Sequence, residues 1–228
     1  MVNSEYRVRK ISEVSSLEVA ESPMLFFNRR IFADLLAREE IFNLVLKVPG
    51  DIFECGVYRG NGLMAFHALS QVLEPYNVHR KFVGFDTFTG FPKGTEYDPE
   101  FDSGYFSDSH LDTLLSAIEF QKRDSLISPV DRVTLVKGDA RETLPNYLAT
   151  RPHQIVALLY MDFDLYEPTK IALESVIPLI PKGGVIAFDQ AGQYKWPGET
   201  LAIKEVLGLK NITFKRLTYN SNVSYIQV

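Results

Sequence analysis

The sequence predicts an open α/β sheet, mostly parallel with an antiparallel last strand and with helices on both faces. Two observations predict it. Strand-like and helix-like segments alternate from Asp51 to Leu207, and the inner strands are apolar on both faces, as parallel strands covered by helices must be. A third observation closes the sheet. The last two segments, "ITFKRLT" and "NVSYIQV", are strand-like and separated by Tyr219-Asn220-Ser221-Asn222, so they pair as an antiparallel edge.

The elements follow in order. "NRRIFADLLAREEIFNLVLKV" places Ile31, Leu35, Ala37, Ile41, Leu44 and Val45 at helical spacing, and Pro49-Gly50 ends it. "DIFECGV" is a short buried strand and "GLMAFHALSQVLEPY" the helix after it. "KFVGFDTF" is the second strand. A long loop follows, rich in Gly, Pro, Asp and aromatics, and then the helix "LDTLLSAIEFQKR". "RVTLVKGDA" is a strand, "RETLPNYLAT" a short helix, and "IVALLYMDF" an apolar strand ending in acids. "EPTKIALESVIPLI" is a helix with Pro168 in its first turn, where a missing N–H costs little. "GVIAFDQ" and the helix "GETLAIKEVLGL" complete the alternation. The reading divides the chain into an N-terminal helical arm or cap over residues 1–48 and a main domain over residues 49–228. No internal repeat or low-complexity tract interrupts it.

The composition narrows the function classes. The 228 residues are 46% hydrophobic and 23% charged, with net charge −5. That is an ordinary globular composition without a basic nucleic-acid footprint; "RVRK" near the N-terminus is the one short basic run. The single cysteine, Cys55, forms no internal disulfide and favours a reducing compartment. No leader-like apolar region and no span-length apolar run is present, so the expectation is a soluble cytoplasmic protein with no membrane partner.

The polar residues collect at one rim. Glu54, Asp86, Asp139, the pair Asp162 and Asp164, and Asp189 each stand near the end of a successive strand. Any one of them reads equally as a loop acid or a helix cap. A run over consecutive strand ends points to a crevice beyond the carboxyl ends of the sheet. Gly56, Gly60 and Gly62 allow close approach of a ligand, but neither the dinucleotide nor the phosphate-loop pattern is present. An acid in the position of Asp86 suits ribose hydroxyls, so an adenosine-type ligand without pyrophosphate fits. Asp162, Asp189 and the Gln190 amide offer hard oxygens suited to Mg²⁺, the alternative being that Asp162 and Asp164 cap the next helix. Cys55 reads as a small core residue, and the histidines lack metal-ligand spacing. His110 is a candidate acid or base or a plain loop residue. Phe88, Phe91, Tyr97, Phe101, Tyr105 and Phe106 form either a lid or a self-packed loop.

"PGDIFECGVYRGNG", "GFDTFTGFP", "VKGDARETLP", "LLYMDFDLYEPTKIALESVIPLIPKGGVIAFDQ" and "WPGETLAIKEV" together resemble the macrocin O-methyltransferase family, from about Pro49 to Val206. The resemblance implies a class I, Rossmann-like S-adenosylmethionine-dependent methyltransferase sheet, and methylation of sugar hydroxyls in natural products. It implies cofactor contacts from Glu54, Gly56, Val57, Tyr58 and Gly62 at the methionine end. Asp86 and Thr87 would lie at the ribose, and Gly138, Asp139 and Ala140 at the adenine. Asp162 would lie beside the methyl donor and ligate Mg²⁺ with Asp189 and Gln190, and Asp162 or Asp164 would take the proton as catalytic base. One departure stands out: the family usually has paired acids where this chain has Asp189-Gln190, so Gln190 either binds metal weakly or faces substrate.

Three functions follow as expectations. The first is Mg²⁺-dependent O-methylation of a hydroxylated, sugar-like small molecule. The second is a metal-independent methyltransferase on another acceptor, and the third a catalytically inactive cofactor-binding scaffold. Phe26, Phe27 and Phe32 of the arm either pack on a second copy, as a homodimer, or cover the chain's own core.

Overall fold

The computed structural model of the protein describes residues 10–100, 106–107, 110–127 and 130–228. The arm supplies α1 (Ser16–Glu21) and α2 (Arg29–Val45). α1 starts at a reciprocal cap, where the Ser15 Oγ accepts from the Glu18 N–H and the Glu18 carboxylate accepts from the Ser15 N–H. α2 starts where Asn28 Oδ1 accepts from the Ile31 N–H at 3.0 Å. Strand and helix then alternate: β1 (Asp51–Cys55), α3 (Asn61–Leu73), β2 (Phe82–Asp86), α4 (Leu111–Arg123), β3 (Val133–Lys137), α5 (Ala140–Ala149), β4 (Val156–Met161), α6 (Tyr166–Val176), β5 (Val185–Phe188), α7 (Pro197–Val206), β6 (Lys215–Arg216) and β7 (Ser224–Gln227).

The strands form one seven-stranded sheet in the order β3-β2-β1-β4-β5-β7-β6. β3, β2, β1, β4 and β5 are parallel, and β7 runs antiparallel between β5 and β6. The alternation and the antiparallel end are as the sequence predicts. The strands are shorter than the segments that predict them, two of them most of all. "ITFKRLT" keeps only Lys215 and Arg216 as β6, both exposed, because this outermost strand has a partner on one side only. "RVTLVKGDA" stops at Lys137, because Gly138 turns at φ 135° and Asp139 becomes the N-cap of α5.

Each face of the sheet carries its own core. Ala37, Ile41, Phe42 and Val45 of α2 join Leu63 and Phe66 of α3 and Leu114 of α4 on one face, with Ile52, Leu158 and Tyr160. Ala140, Leu144, Ala172, Leu173, Ala202 and Ile203, from α5, α6 and α7, cover the other face with Phe53, Cys55, Val83 and Met161. Every residue of β4 is buried, as expected of a central parallel strand. Strand alternation sets the positions of two sequence-predicted residues. Cys55 points into the α5–α7 core, and Glu54 turns to the α2–α3 side.

The chain leaves β1 toward β2 on one side and later returns to β4 on the other. β1 and β4 are therefore the switch point, where a crevice opens beyond the strand ends. There the Asp162 N–H donates to the Cys55 carbonyl at 2.7 Å. Gly56 sits against this bridge with φ 95°, and a Cβ at that position would lie 2.0 Å from the Asp162 carbonyl oxygen. Only glycine fits so close an approach.

Candidate active site

Two clefts meet at the switch point. The first is lined by Gly56, Tyr58, Asp86, Thr87, Gly138, Asp139, Ala140, Asp162, Asp164 and Gln190, together with Phe91, Phe106 and Pro168. The second runs between α2 and the 219–223 turn. Tyr160, Asp162 and Asp189 form its inner end. Asp162 lines both.

Most residues predicted for cofactor contact come together in the first cleft. Glu54, Val57 and Gly62 stand behind its wall instead. Val57 is a core residue, and a Cβ on Gly62 would meet Glu54 Oε1 at 1.9 Å. Gly62 therefore makes room for the Glu54 carboxylate at the start of α3.

Asp86 does more than its position at the end of β2 announces. Its Oδ2 accepts the N–H groups of Val57 and Tyr58, both at 2.8 Å, and its Oδ1 accepts the Phe88 N–H at 2.6 Å. It holds the glycine turn and its own loop together. A carboxylate has about four acceptor sites, so about one remains for a hydroxyl donor. Tyr58 and Phe88 take left-handed φ values of 50° and 54° where Asp86 holds them. Asp139 caps α5 through the Arg141 N–H at 3.0 Å, and Arg141 also donates to it from Nε. Burial opposes ionisation of Asp139, but the Arg141 bonds outweigh it and hold the carboxyl below its usual range.

Glu54 and Asp164 are the buried rim acids, and Asp86, Asp139, Asp162 and Asp189 are half-buried. Glu54 is 2% exposed, with Arg38 Nη2 3.7 Å from its Oε1. Burial pushes its carboxyl up to about 7, against the pull of Arg38. Burial, then the charges of Asp189 and Asp164, push Asp162 well above the usual carboxylate range. Asp164 is raised to about 7, by burial first and then by Asp189. Asp189 is raised by burial, although Tyr160 donates its hydroxyl to Oδ1 at 2.9 Å. Asp164 Oδ1, Gln190 Oε1 and Glu54 Oε2 are buried without a hydrogen-bond partner.

Asp189 and Gln190 face different clefts. Asp189 shares the second cleft with Asp162, while Gln190 and Asp164 line the first. The two residues follow the end of β5 and line different clefts, so they do not converge on one point. Among the described residues no group of three acids, histidines or cysteines is placed to hold a metal ion. The second cleft instead offers two hard carboxylates and room for water, a donor set that suits Mg²⁺, which keeps several waters.

Three residues of the site escape the sequence reading. Arg38 packs over the rings of Tyr160 and Phe66 at 4.7 and 5.4 Å. It precedes Ile41 and Phe42 by three and four residues, so it shares their buried stripe, and that spacing was the available signal. Tyr160 lies inside an apolar strand and carries no polar signal of its own. Glu199, fully buried at the start of α7, accepts the Gln190 N–H at 3.0 Å, and burial raises its carboxyl far above the usual range. Nothing local marks it, because its partner is set by the fold. His110 is exposed at the start of α4 and lines neither cleft. Of the loop aromatics, Phe91 and Phe106 pack on each other at the cleft, with Phe91 also against Trp196. Phe88 joins the core, and Tyr97 packs on Tyr166. Phe101 and Tyr105 lie outside the described residues.

Several known proteins resemble the chain. Mycinamicin III 3''-O-methyltransferase of Micromonospora griseorubida is 32% identical over 149 residues, covering 62% of this chain and 55% of that protein. Demethyldecarbamoylnovobiocin O-methyltransferase of Streptomyces niveus is 30% identical over 154 residues, 62% of this chain and 53% of the relative. The chain thus spans about half the length of the curated relatives it matches. Among solved structures, CalS11, calicheamicin methyltransferase, superposes with a TM-score of 0.86 at 38% identity, covering 95% of this chain and 87% of that one. Its apo structure, described as a TDP-rhamnose 3'-O-methyltransferase, gives 0.80 at 38% identity, with 95% and 88% covered. The profile of the macrocin-O-methyltransferase family matches residues 35–214, most of the chain, and the protein belongs to that family.

Proposed function

We propose that the protein is an S-adenosylmethionine-dependent O-methyltransferase whose acceptor is a sugar or similar hydroxylated small molecule of natural-product or glycan biosynthesis. The observation that carries this is the position of Asp162, the one residue among those described that is shared by the first cleft and the second. The first cleft would hold the cofactor, with Asp86 at the ribose and Gly138, Asp139 and Ala140 at the adenine. The second would hold the acceptor. Residues 1–48 act as the cap, since α2 forms a wall of the second cleft, and residues 49–228 as the catalytic domain. The family and the acceptors named for its relatives support the reading.

Bound S-adenosylmethionine supplies an electrophilic sulfonium methyl. The chain positions an acceptor hydroxyl against it, and positioning of two reactants can contribute ~7–11 kcal/mol. That methyl would pass to the acceptor oxygen, with the sulfur keeping the electron pair of the broken C–S bond. The proton passes to Asp162 or Asp164 as general base. Mg²⁺ held by Asp162 and Asp189 would lower the pKa of a bound hydroxyl. Gln190, which lines the first cleft with Asp164, lies on the cofactor side in this reading. That placement is also what favours the second reading, a methyltransferase that works without metal.

Among the described residues no helix is long and apolar enough to cross a membrane. The buried Cys55 accords with a reducing, cytoplasmic setting. The exposed Leu17, Met24, Leu25, Phe27, Ile31 and Phe32 are the face a homodimer would use.

Calorimetry with S-adenosylmethionine, beside a methyl-transfer assay over hydroxylated sugars, tests the reading. The wild type should bind and turn over, and Asp162→Ala should bind with little turnover. Failure to bind the cofactor, or full turnover by Asp162→Ala, would refute it. Binding with no turnover on any acceptor would leave the inactive scaffold.

A further inference from the structure

The second cleft changes character along its length. Its inner end is acidic, with Asp162 and Asp189. Arg38, beside them, is already committed to Glu54 and to the rings of Tyr160 and Phe66. α2 then runs away from the sheet. Arg29 and Arg30 line the same cleft nine and eight residues earlier in the helix, roughly 12–13 Å along its axis at 1.5 Å per residue. Both are exposed, and neither has a hydrogen-bond or ion-pair partner among the described residues. The nearest acid on that wall, Asp34, is taken by Asn220 Nδ2 at 3.0 Å. The facing wall, the turn Asn220–Ser221–Asn222, is polar and uncharged. The helix N-terminus adds positive potential at the same end.

We infer that Arg29 and Arg30 form an anion subsite, and that the acceptor is a sugar carrying phosphate, as a nucleoside-diphosphate sugar or a sugar phosphate, rather than a neutral glycoside. This rests on the methyl-transfer reading for the use of the site, though not for its existence. Guanidinium groups bind phosphate oxygens in bidentate fashion, and an unengaged pair in a cleft matches a diphosphate. The sugar ring would lie at Asp162 and the phosphate toward the arginines, which line the same cleft. A neutral glycoside would leave this end of the cleft without a counter-charge.

The test uses purified full-length protein with TDP-rhamnose, rhamnose 1-phosphate and methyl rhamnoside as acceptors, and inorganic pyrophosphate as a binding probe. Variants are Arg29→Ala, Arg30→Ala and the double substitution. Both arginines are exposed, so the variants should fold, and unchanged S-adenosylmethionine affinity checks this. TDP-rhamnose and pyrophosphate should bind to the wild type, with affinity falling roughly ten-fold or more per arginine removed. For a methylated phosphorylated acceptor the loss should fall on KM, with kcat retained. Equal use of TDP-rhamnose and rhamnose 1-phosphate would show that one phosphate is read; preference for the former would show two. Arginine-dependent binding without methylation would sink the methyl-transfer reading and keep the subsite. Methyl rhamnoside serving as well as TDP-rhamnose, affinity unchanged in the double variant, or no binding of TDP-rhamnose and pyrophosphate would overturn the inference.

Discussion

Arg38→Met is the most informative perturbation of the rim, because its effect depends on pH in a direction that can be worked out. It removes the guanidinium 3.7 Å from Glu54 Oε1 and its stacking over Tyr160 and Phe66. In the wild type burial raises the Glu54 carboxyl to about 7 from an ordinary 4.5. A carboxyl with a raised folded pKa binds more protons folded than unfolded. Its contribution is fully present below about pH 4.5 and is lost as pH rises through about 7. Over that interval the loss is about 3 kcal/mol, at 1.36 kcal/mol per unit.

Without Arg38 the folded pKa of Glu54 moves higher still, so the loss continues above pH 7. At about pH 6 Glu54 is mostly neutral in both proteins, and the substitution should cost only the lost stacking, about 1–2 kcal/mol. At about pH 8.5 the extra cost should reach about 2 kcal/mol, from some 1.5 units at 1.36 each. The ceiling is the ~3–5 kcal/mol for breaking a buried pair. Urea unfolding of wild type, Arg38→Met, Glu54→Gln and the double variant at both pH values measures this. The double variant should lose most of the pH-dependent part. An Arg38→Met penalty that is the same at both pH values would refute the reasoning.

Further outcomes are expected. Gly56→Ala should cost ~1–3 kcal/mol of stability from its φ of 95° alone. Because its Cβ meets the Asp162 carbonyl, it should also weaken S-adenosylmethionine binding; calorimetry showing wild-type affinity would contradict that. Phe91→Ala removes ring contacts with Phe106 and Trp196, at ~0.5–1.5 kcal/mol each, so the cofactor KM should rise several-fold with kcat nearly kept. Chelation by EDTA should lower turnover and Mg²⁺ restore it, with cofactor binding unaffected; turnover indifferent to EDTA would select the metal-free reading. Arg80 is buried, donating from Nε to Glu74 Oε1 and from Nη1 to the Gly50 carbonyl, both at 2.7 Å. Arg80→Ala should therefore cost ~3–5 kcal/mol in urea unfolding without changing cofactor affinity of the folded protein.

Most of the fold was legible because it rests on local periodicity. Apolar runs bounded by Gly and Pro mark the inner strands, and helical spacing marks α2 to α7. Parallel order follows from the alternation itself. The ring of rim acids was legible for the same reason, since strand ends can be read from sequence. The short edge strand β6 was overestimated because its length depends on how much partner backbone is in reach, which no local pattern records.

The sequence by itself determined a doubly covered sheet with an antiparallel end, the acids at its carboxyl rim, and the glycines that let backbone approach backbone. Only the tertiary structure decided which acids share a space. Beyond the end of β5 the chain sent Asp189 to the second cleft and Gln190 to the first, Arg38 came from a distant helix to face Glu54, and Glu199 came from another to hold the Gln190 backbone. Arg29 and Arg30 read as ordinary surface charges until α2 placed them along one cleft with Asp162. The physical reason is that charge and burial act through space. A carboxylate's state depends on neighbours many residues away, and those neighbours exist only once the chain has packed.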